Sequence, residues 1–486
     1  MQHDEARTAT ATAPTNELAE LGVLAVAAAI RNGDISSEAY AAALLQLARR
    51  ESRLNAFITI DEDAVLAAAR NADKARTAGS TAPLLGVPLA FKDSYLTQGL
   101  RTTFGLESMD RFVPQEDADI IRMIKDVGGI VFGKNNLVEM SYGLTGNNSH
   151  YGQVKNPHHL HHISGGSSSG AGASVAARIV PAALGGDTVG SVRVPASLCG
   201  VVGFKPTTGR WPRGGVAPIS HTLDTTGVLA RNVEDCALID DIATGKVAAT
   251  LANPTDLKGV RFAYAPRQYL ELLEPEIEVH FKDTVNRLRD AGAEVVEVDL
   301  GDDFSSIAET ATWSIFFRET AAAISEFLRH HNIPTSFDEI YNGLKPDLKE
   351  VWEQVVFPDG PGFISLEAYG AALSIDRPEI ERRFTEAFSR SGAEALFFPT
   401  TPCTAPSIEH QAKFSIAGQE VSYLILAKHT VPASGAGLPG ISIPTGLSAN
   451  RLPIGIEIDA PRGHDRALLD LARRAQAAVG ALPAPV

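Results

Sequence analysis

Residues 165–191 of this chain read GGSSSGAGASVAARIVPAALGGDTVGS, in which two glycine-rich serine turns flank a helix-like and then a strand-like segment. Residues 171–178 fit a helix, and residues 180–184 form a short apolar run typical of a buried strand. A turn–helix–strand–turn unit returns the chain to the same end of a sheet, where α/β proteins bind ligands. We therefore expect the two turns, with Ser167 and Ser191, to meet in space.

A lysine upstream adds a base to this pair of serines. Residues 86–93 read GVPLAFKD and place Lys92 at the end of a short apolar run. A serine hydroxyl is a weak nucleophile at neutral pH until a base removes its proton, and lysine is the base in Ser–Lys variants of the hydrolase triad. Glycines around Ser191 would let backbone N–H groups converge on a developing oxyanion. Together these residues predict an acyl-transfer site.

Helical and strand-like segments alternate along most of the chain, which predicts an α/β fold. We expect a single large domain with a central mixed, mostly parallel sheet flanked by helices, and strands from both ends of the chain in that one sheet. Residues 1–16 are expected to be a flexible tail, 17–484 the folded domain, and about 304–380 a helix-rich insert. The predicted helices cover residues 18–30, a segment capped by Ser36 or Ser37, 63–77, 118–127, 171–178, 234–244, 277–291 and 465–479. The predicted strands cover residues 85–91, 129–132, 180–184, 260–264, 294–298, 395–398 and 440–443.

The composition excludes several classes of protein. The chain has 486 residues, 44% of them hydrophobic, and a formal net charge of −15, so it lacks the basic character of a nucleic-acid-binding surface. The apolar stretch at 21–30 is too short to span a bilayer, and the N-terminus lacks a signal-peptide pattern. The three cysteines, Cys199, Cys236 and Cys403, fit no metal spacing and are read as reduced, packed thiols. A soluble cytoplasmic protein is expected, with a monomeric or homodimeric assembly left open.

The motifs resemble one enzyme family. Residues 86–93, 165–170 and 186–207 (GDTVGSVRVPASLCGVVGFKPT), with flanking segments such as FPTTPCTAP and LPGISIPTG, are similar to the amidase signature family of serine hydrolases. The similarity runs from about residue 20 to 480, with the signature core at about 82–245. It implies that Ser191 is the nucleophile, that Ser167, after a cis peptide bond to Gly166, relays the proton, and that a neutral Lys92 is the base. Burial would depress the pKa of that lysine.

The resemblance also implies an oxyanion hole and substrate contacts. The backbone N–H groups of Thr188, Val189, Gly190 and Ser191 would bind the oxyanion, and Ser141 and Gly143 align with substrate-contacting positions. Most family members have glycine in place of Val189, so we expect a shifted acyl pocket around an intact donor. No cofactor and no metal ion are implied.

The expected activity is hydrolysis of a small-molecule carboxylic amide, since the segment at 201–227 is most similar to family members that act on arylacetamides. Cleavage of a carbamate (urethane) or an ester by the same triad is an alternative. Another is an amidase subunit of a glutamine-dependent tRNA amidotransferase complex. A third interpretation places the nucleophile at Ser168, because GSSSG also fits the G-x-S-x-G elbow; the polar segment before it disfavours this interpretation.

Other charged and aromatic residues have structural interpretations. Asp187 and Arg193 are expected to form a buried pair that fixes the turn, with Asp93 and Asp224 as turn-fixing acceptors. The aromatic side chains between Trp313 and Phe357 either roof an apolar acyl pocket or belong to the core. Four histidines are expected in an exposed loop that binds metal only adventitiously, although a role at the substrate rim stays open: His158, His159, His161 and His162.

Overall fold

The computed structural model describes residues 15–246 and 256–485, so the expected tail at 1–16 lies almost entirely outside the described residues. The helices are α1 (Thr15–Ala19), α2 (Val23–Asn32), α3 (Ser37–Arg50), α4 (Glu62–Thr77), α5 (Asp119–Asp126), α6 (Ser169–Ala176), α7 (Arg193–Cys199), α8 (Val233–Ala243), α9 (Pro266–Tyr269), α10 (Pro275–Asp290), α11 (Phe304–His330), α12 (Phe337–Gly343), α13 (Pro346–Val355), α14 (Leu366–Ala371), α15 (Arg377–Ser391), α16 (Val431–Ala436) and α17 (Asp465–Val479). The strands are β1 (Phe57–Thr59), β2 (Pro88–Lys92), β3 (Ile130–Asn135), β4 (Lys155–Asn156), β5 (His159–Ile163), β6 (Ala182–Asp187), β7 (Val202–Lys205), β8 (Thr225–Ala230), β9 (Arg261–Tyr264), β10 (Glu294–Glu297), β11 (Ala395–Pro399), β12 (Lys413–Ile416), β13 (Gln419–Ser422), β14 (Gly440–Leu447) and β15 (Pro453–Asp459).

An 11-stranded sheet, in the order β1-β3-β2-β6-β8-β7-β14-β15-β11-β9-β10, organises the molecule. The pairs β3–β2–β6 and β11–β9–β10 are parallel, whereas the centre from β6 to β11 is antiparallel. The predicted mixed α/β sheet, shared by strands from both ends of the chain, is confirmed. The expectation that parallel pairing dominates is wrong, because β7, β8 and β15 were not predicted and all three pair antiparallel.

Those three strands were missed for different reasons, although all of their residues are buried. Strand β8 (TTGVLA) shows no alternation of apolar and polar residues, β7 (VGFK) is only four residues long, and β15 (PIGIEID) alternates but begins with a proline. Glycines interrupt each of them, which weakens a strand signal further. By contrast, the predicted helices at 63–77 and 465–479 agree with α4 and α17 to within one residue, and the Ser36 side chain caps α3 as expected.

The sheet separates two hydrophobic cores. On β11, Ala395 and Phe397 belong to one core, and Leu396 and Phe398 belong to the other, as the alternation of side chains along a strand requires. Helices α2 to α5, α8, α10 and α17 cover the first face, and α11 to α16 cover the second. None of the helices within the described ranges is both long and apolar enough to cross a bilayer.

Candidate active site

The two serine turns meet at the carboxyl ends of neighbouring strands. Strands β2 and β6 are parallel, with Phe91 opposite Leu184, so Lys92 at the end of β2 lies near the turn that follows β6. The first turn leads directly into α6 and the second into α7. A backbone hydrogen bond from the Ser168 N–H to the Ser191 carbonyl, 3.2 Å long, joins the turns.

Lys92 and Ser167 are in direct contact inside the protein. The Lys92 Nζ donates to the Ser167 Oγ at 2.8 Å, and the two residues are 1% and 0% exposed. The peptide bond between Gly166 and Ser167 is cis, as predicted. Burial lowers the pKa of Lys92 to about 7, against the opposing effect of the nearby carboxylates Asp224 and Asp187. The predicted depression of this pKa is therefore confirmed, and Lys92 is largely neutral above pH 7.

Ser191 is joined to the first turn through its backbone carbonyl, and no hydrogen bond among the described residues links its side chain to Lys92 or Ser167. The residue is 4% exposed, and among the described residues its hydroxyl has no hydrogen-bond partner. Ser168 has a different environment, since its hydroxyl donates to the Gly186 carbonyl at 3.2 Å and accepts from the Gly186 N–H at 3.3 Å. The Ser168 hydroxyl thus ties the first turn to β6, which argues against the elbow interpretation.

The backbone of residues 188–191, called here the 188–191 turn, differs from expectation at one donor. The Gly190 N–H already donates to the Asp187 Oδ1 at 2.7 Å, so in this conformation it is not available to an oxyanion. Within the described chain, the N–H groups of Thr188, Val189 and Ser191 have no acceptor. These three remain suitable oxyanion donors.

The carboxylates around the turn have the structural roles expected of them. Arg193 and Asp187 form a fully buried ion pair, with a distance of 2.9 Å between NH2 and Oδ1. Asp224 accepts from the Thr188 hydroxyl at 2.7 Å and from the N–H groups of Ile219 and Ser220. Asp93 likewise accepts from the Thr103 N–H and hydroxyl.

Two further contacts, one to the 188–191 turn and one to Arg193 just after it, were not predicted, because they come from the far end of the chain. The Thr430 hydroxyl donates to the Val189 carbonyl, and the Glu457 carboxylate accepts from Arg193. Both residues stand more than 230 positions after the groups they contact, and neither belongs to a motif that marks it as functional.

A cavity of about 300 Å³ opens beside Lys92 and Ser167. Ser141 and Thr188 line it, whereas Gly143 and Ser191 are not among its lining residues. Much of the remaining wall is formed by residues 213–221 on one side and, on the other, by Phe327 and His330 of α11 with His331 just after it.

Some aromatic side chains of the 304–380 region line the cavity, and others pack in the core. Phe327 lines the cavity. Trp352 is fully buried and stacks on Phe337, and Trp313 stacks on Phe317 away from the cavity. The residues singled out from the sequence as a roof therefore belong mainly to packing, and α11 contributes the cavity wall.

The histidine-rich segment forms a β4–β5 hairpin, so the expected exposed loop is wrong. His159 and His161 are exposed, while the His158 and His162 rings contact the carbonyl oxygens of Cys199 and Ala405. Burial lowers the pKa of His158 to about 4. Among the described residues, no group of three or more His, Cys, Asp or Glu side chains is placed to hold a metal ion.

Comparison with known proteins agrees with this geometry. A family model described as Amidase matches residues 38–469. The chain is a member of the amidase signature family. This amidase is accordingly a hydrolase that acts on carbon–nitrogen bonds of linear amides.

Relatives of the amidase cover nearly all of its length. Mandelamide hydrolase from Pseudomonas putida is 34% identical over 97% of this chain and 94% of its own. A glutamyl-tRNA(Gln) amidotransferase subunit from Chromohalobacter salexigens is also 34% identical, over 93% of this chain and 95% of its own. Among solved structures, the native peptide amidase from Stenotrophomonas maltophilia matches with a TM-score of 0.78 and 27% identity, over 97% of this chain and 99% of that one.

Proposed function

We propose that this amidase hydrolyses an aryl or arylalkyl amide through an acyl-enzyme on Ser191, with Ser167 and Lys92 relaying the proton. The observation that carries the proposal is the buried 2.8 Å hydrogen bond between Lys92 and Ser167, beside a cavity and joined by backbone to the Ser191 turn. A neutral amine shielded from water can accept a proton at physiological pH.

The proposed reaction begins with transfer of the Ser191 hydroxyl proton to Ser167 as the Ser167 proton passes to the Lys92 amine. The Ser191 Oγ bonds to the amide carbon, and the carbonyl electron pair moves onto oxygen, where the free N–H groups of the 188–191 turn stabilise it. Collapse breaks the C–N bond, and the leaving nitrogen takes the proton back through Ser167. Water then cleaves the acyl-enzyme by the same route.

The hydrogen bond between the Ser191 and Ser167 hydroxyls has to form for this relay. Catalytic hydrogen bonds are often long or misaligned without substrate and shorten in the Michaelis complex. We expect substrate binding in the cavity to orient the Ser191 hydroxyl toward Ser167.

The cavity supports an aromatic or arylalkyl acyl group. Val216, Ile219 and Phe327 supply apolar surface around the polar groups at its base, which suits a flat apolar substituent. Relatives named mandelamide hydrolase and indoleacetamide hydrolase point the same way. A carbamate or an ester passes through a similar tetrahedral intermediate, so both remain candidate substrates of the same site.

The experiment is a panel of aryl amides, anilides, carbamates and esters, assayed with purified protein. Turnover by the chain alone would separate a stand-alone amidase from a tRNA amidotransferase subunit, to which it is similar in sequence.

We expect Ser191→Ala and Lys92→Ala each to lower kcat/KM on the order of 10⁴-fold or more. Ser168→Ala is the matched control and should keep most of the activity, since among the described residues that hydroxyl forms hydrogen bonds with Gly186 alone. Full activity in Ser191→Ala with loss in Ser168→Ala would assign the site to the elbow serine instead.

A further inference from the structure

Thr430 joins the C-terminal part of the chain to the 188–191 turn. It lies just before α16 and is fully buried. Its hydroxyl lies closer to the Val189 carbonyl than to the carbonyl of Ala427, which is 3.1 Å away, so the proton is directed at Val189. The two residues are separated by 241 positions.

The peptide unit between Val189 and Gly190 is held from both of its ends. In a trans peptide the C=O and N–H groups point in opposite directions. Here the Val189 C=O accepts from Thr430, and the Gly190 N–H donates to Asp187 at 2.7 Å. With both polar groups fixed, this unit cannot rotate without breaking a buried hydrogen bond, which costs about 1–3 kcal/mol.

The contacts close into a ring. Arg193 binds Asp187 through Nε and NH2 at 3.0 and 2.9 Å, and its NH1 donates to the Thr430 carbonyl at 3.2 Å. Thr430 therefore contacts the turn through its hydroxyl and the ion pair through its carbonyl. The approach is close: a Cβ atom on Gly190, where φ is +139°, would stand 2.3 Å from the Thr430 hydroxyl oxygen.

We propose that Thr430 is a positioning residue for catalysis, because its hydroxyl sets the orientation of the Val189–Gly190 peptide and so the aim of the N–H groups of the 188–191 turn. The inference rests on the proposed function of Ser191. The Gly190 N–H is engaged with Asp187, so the oxyanion is bound by the neighbouring donors of Thr188, Val189 and Ser191. The directions of these three N–H groups depend on the orientation of the Val189–Gly190 peptide, which the Thr430 hydroxyl fixes.

Three variants test this role. Thr430→Val keeps the shape of the side chain and removes the donor, Thr430→Ser keeps the hydroxyl, and Thr284→Val is a control at another buried threonine. In the part of the chain that the structure describes, the Thr284 hydroxyl forms hydrogen bonds only within its own helix, α10, with His280 and Arg287.

We expect Thr430→Val to lower kcat for an aryl amide about 10-fold, which is less than the roughly 10²–10³-fold cost of removing an oxyanion donor because the donors are displaced and not deleted. KM and the apparent pKa of the pH–rate profile should stay near the wild-type values. The affinity for a boronic acid, which mimics the tetrahedral intermediate, should fall by the same factor as kcat/KM. Thr430→Ser should recover most of the activity, and Thr284→Val should match the wild type.

Two results would overturn the inference. One is a folded Thr430→Val with wild-type kcat. The other is a loss that affects KM and binding of the product carboxylate as strongly as the boronate, since that pattern indicates general disruption of the site. If Thr430→Val does not fold, Thr430→Ala, which adds no atoms, is judged by the same measurements.

A second readout separates this inference from the proposed function. The rate at which a fluorophosphonate labels Ser191, with Ser191→Ala as the blank, depends on the oxyanion donors and not on the choice of amide. If the wild-type protein is labelled but hydrolyses none of the panel, the proposed function fails while the labelling rates of the Thr430 variants still decide the positioning role.

Discussion

At the scale of single residues, the environment of Lys92 sets the pH above which the proposed base is neutral. Burial removes the water that would solvate an ammonium group, while the Asp224 and Asp187 carboxylates favour the charged form, and the balance brings the pKa of Lys92 to about 7. Since the folded protein holds Lys92 neutral between this value and its ordinary 10.5, it binds fewer protons than the unfolded chain there. Both activity and this residue's contribution to the free energy of unfolding therefore rise with pH above 7.

The first prediction concerns Asp224, which lines the cavity with Lys92. Asp224→Asn keeps an acceptor for Thr188 and removes the negative charge, so the pKa of Lys92 should fall further. The acidic limb of the kcat/KM profile should then move to lower pH. The exposed Asp302→Asn serves as control and should leave the profile in place. A shift of the Asp224→Asn profile to higher pH would contradict the assignment of Lys92 as the base.

At the scale of secondary-structure elements, one carboxylate fastens the cavity wall to the helices behind it. Glu319 on α11 accepts from the hydroxyls of Ser220, Thr222 and Tyr369 and from the Thr222 N–H. It therefore connects α11 and α14 with Ser220, which lines the cavity, and with Thr222, which follows the lining segment 213–221. The sequence predicts a helix-rich region here, but it does not indicate which polar residue of a long helix faces inward.

The second prediction tests this connection. Glu319→Ala removes the shared acceptor and leaves buried donors unpaired, so the free energy of unfolding should fall by about 1–3 kcal/mol. KM for an aryl amide should rise several-fold because the wall becomes mobile, with a smaller effect on kcat. Tyr369→Phe deletes one donor only. It should change kcat, KM and the free energy of unfolding in urea less than Glu319→Ala does. An unchanged KM in Glu319→Ala would show that the wall is held by other contacts.

At the scale of the whole molecule, a buried charge network joins the two halves of the chain under the serine turns. Arg193 is bonded to Asp187 on β6 and to Glu457 on β15, and all three side chains are fully buried. Burial raises the pKa of Glu457 and of its neighbour Asp459, while the two carboxylates on Arg193 keep it charged. Each buried charge of Arg193, Asp187 and Glu457 is thus stabilised by an oppositely charged neighbour in the network.

The third prediction follows from that dependence. Arg193→Met removes the cation that contacts both Asp187 and Glu457 and should lower the free energy of unfolding by about 3–5 kcal/mol. Arg267→Met, which breaks two ion pairs between half-exposed or exposed groups, should change it much less, because water and salt screen exposed pairs. Both can be compared in urea. Equal effects for the two variants would mean that the buried network contributes no more than a surface pair.

Features that depend on a few consecutive residues could be predicted from the amino-acid order alone. They include the glycine-rich turns with a serine in each, the lysine at a strand end, and the caps and periodicity of α3, α4 and α17. Turn geometry and helix formation depend on near neighbours, so these features leave a local signal. The cis bond before Ser167, the family and the amide chemistry followed from motifs of the same kind.

Which groups share a site across hundreds of positions became visible only in the folded chain. The binding of the Gly190 N–H to Asp187, the Thr430 contact with Val189, the Glu457 contact with Arg193 and the antiparallel centre of the sheet all arise from the packing of one segment on another. Such contacts carry no periodic signal, because a buried polar residue is selected by one partner in space and not by its neighbours in the chain.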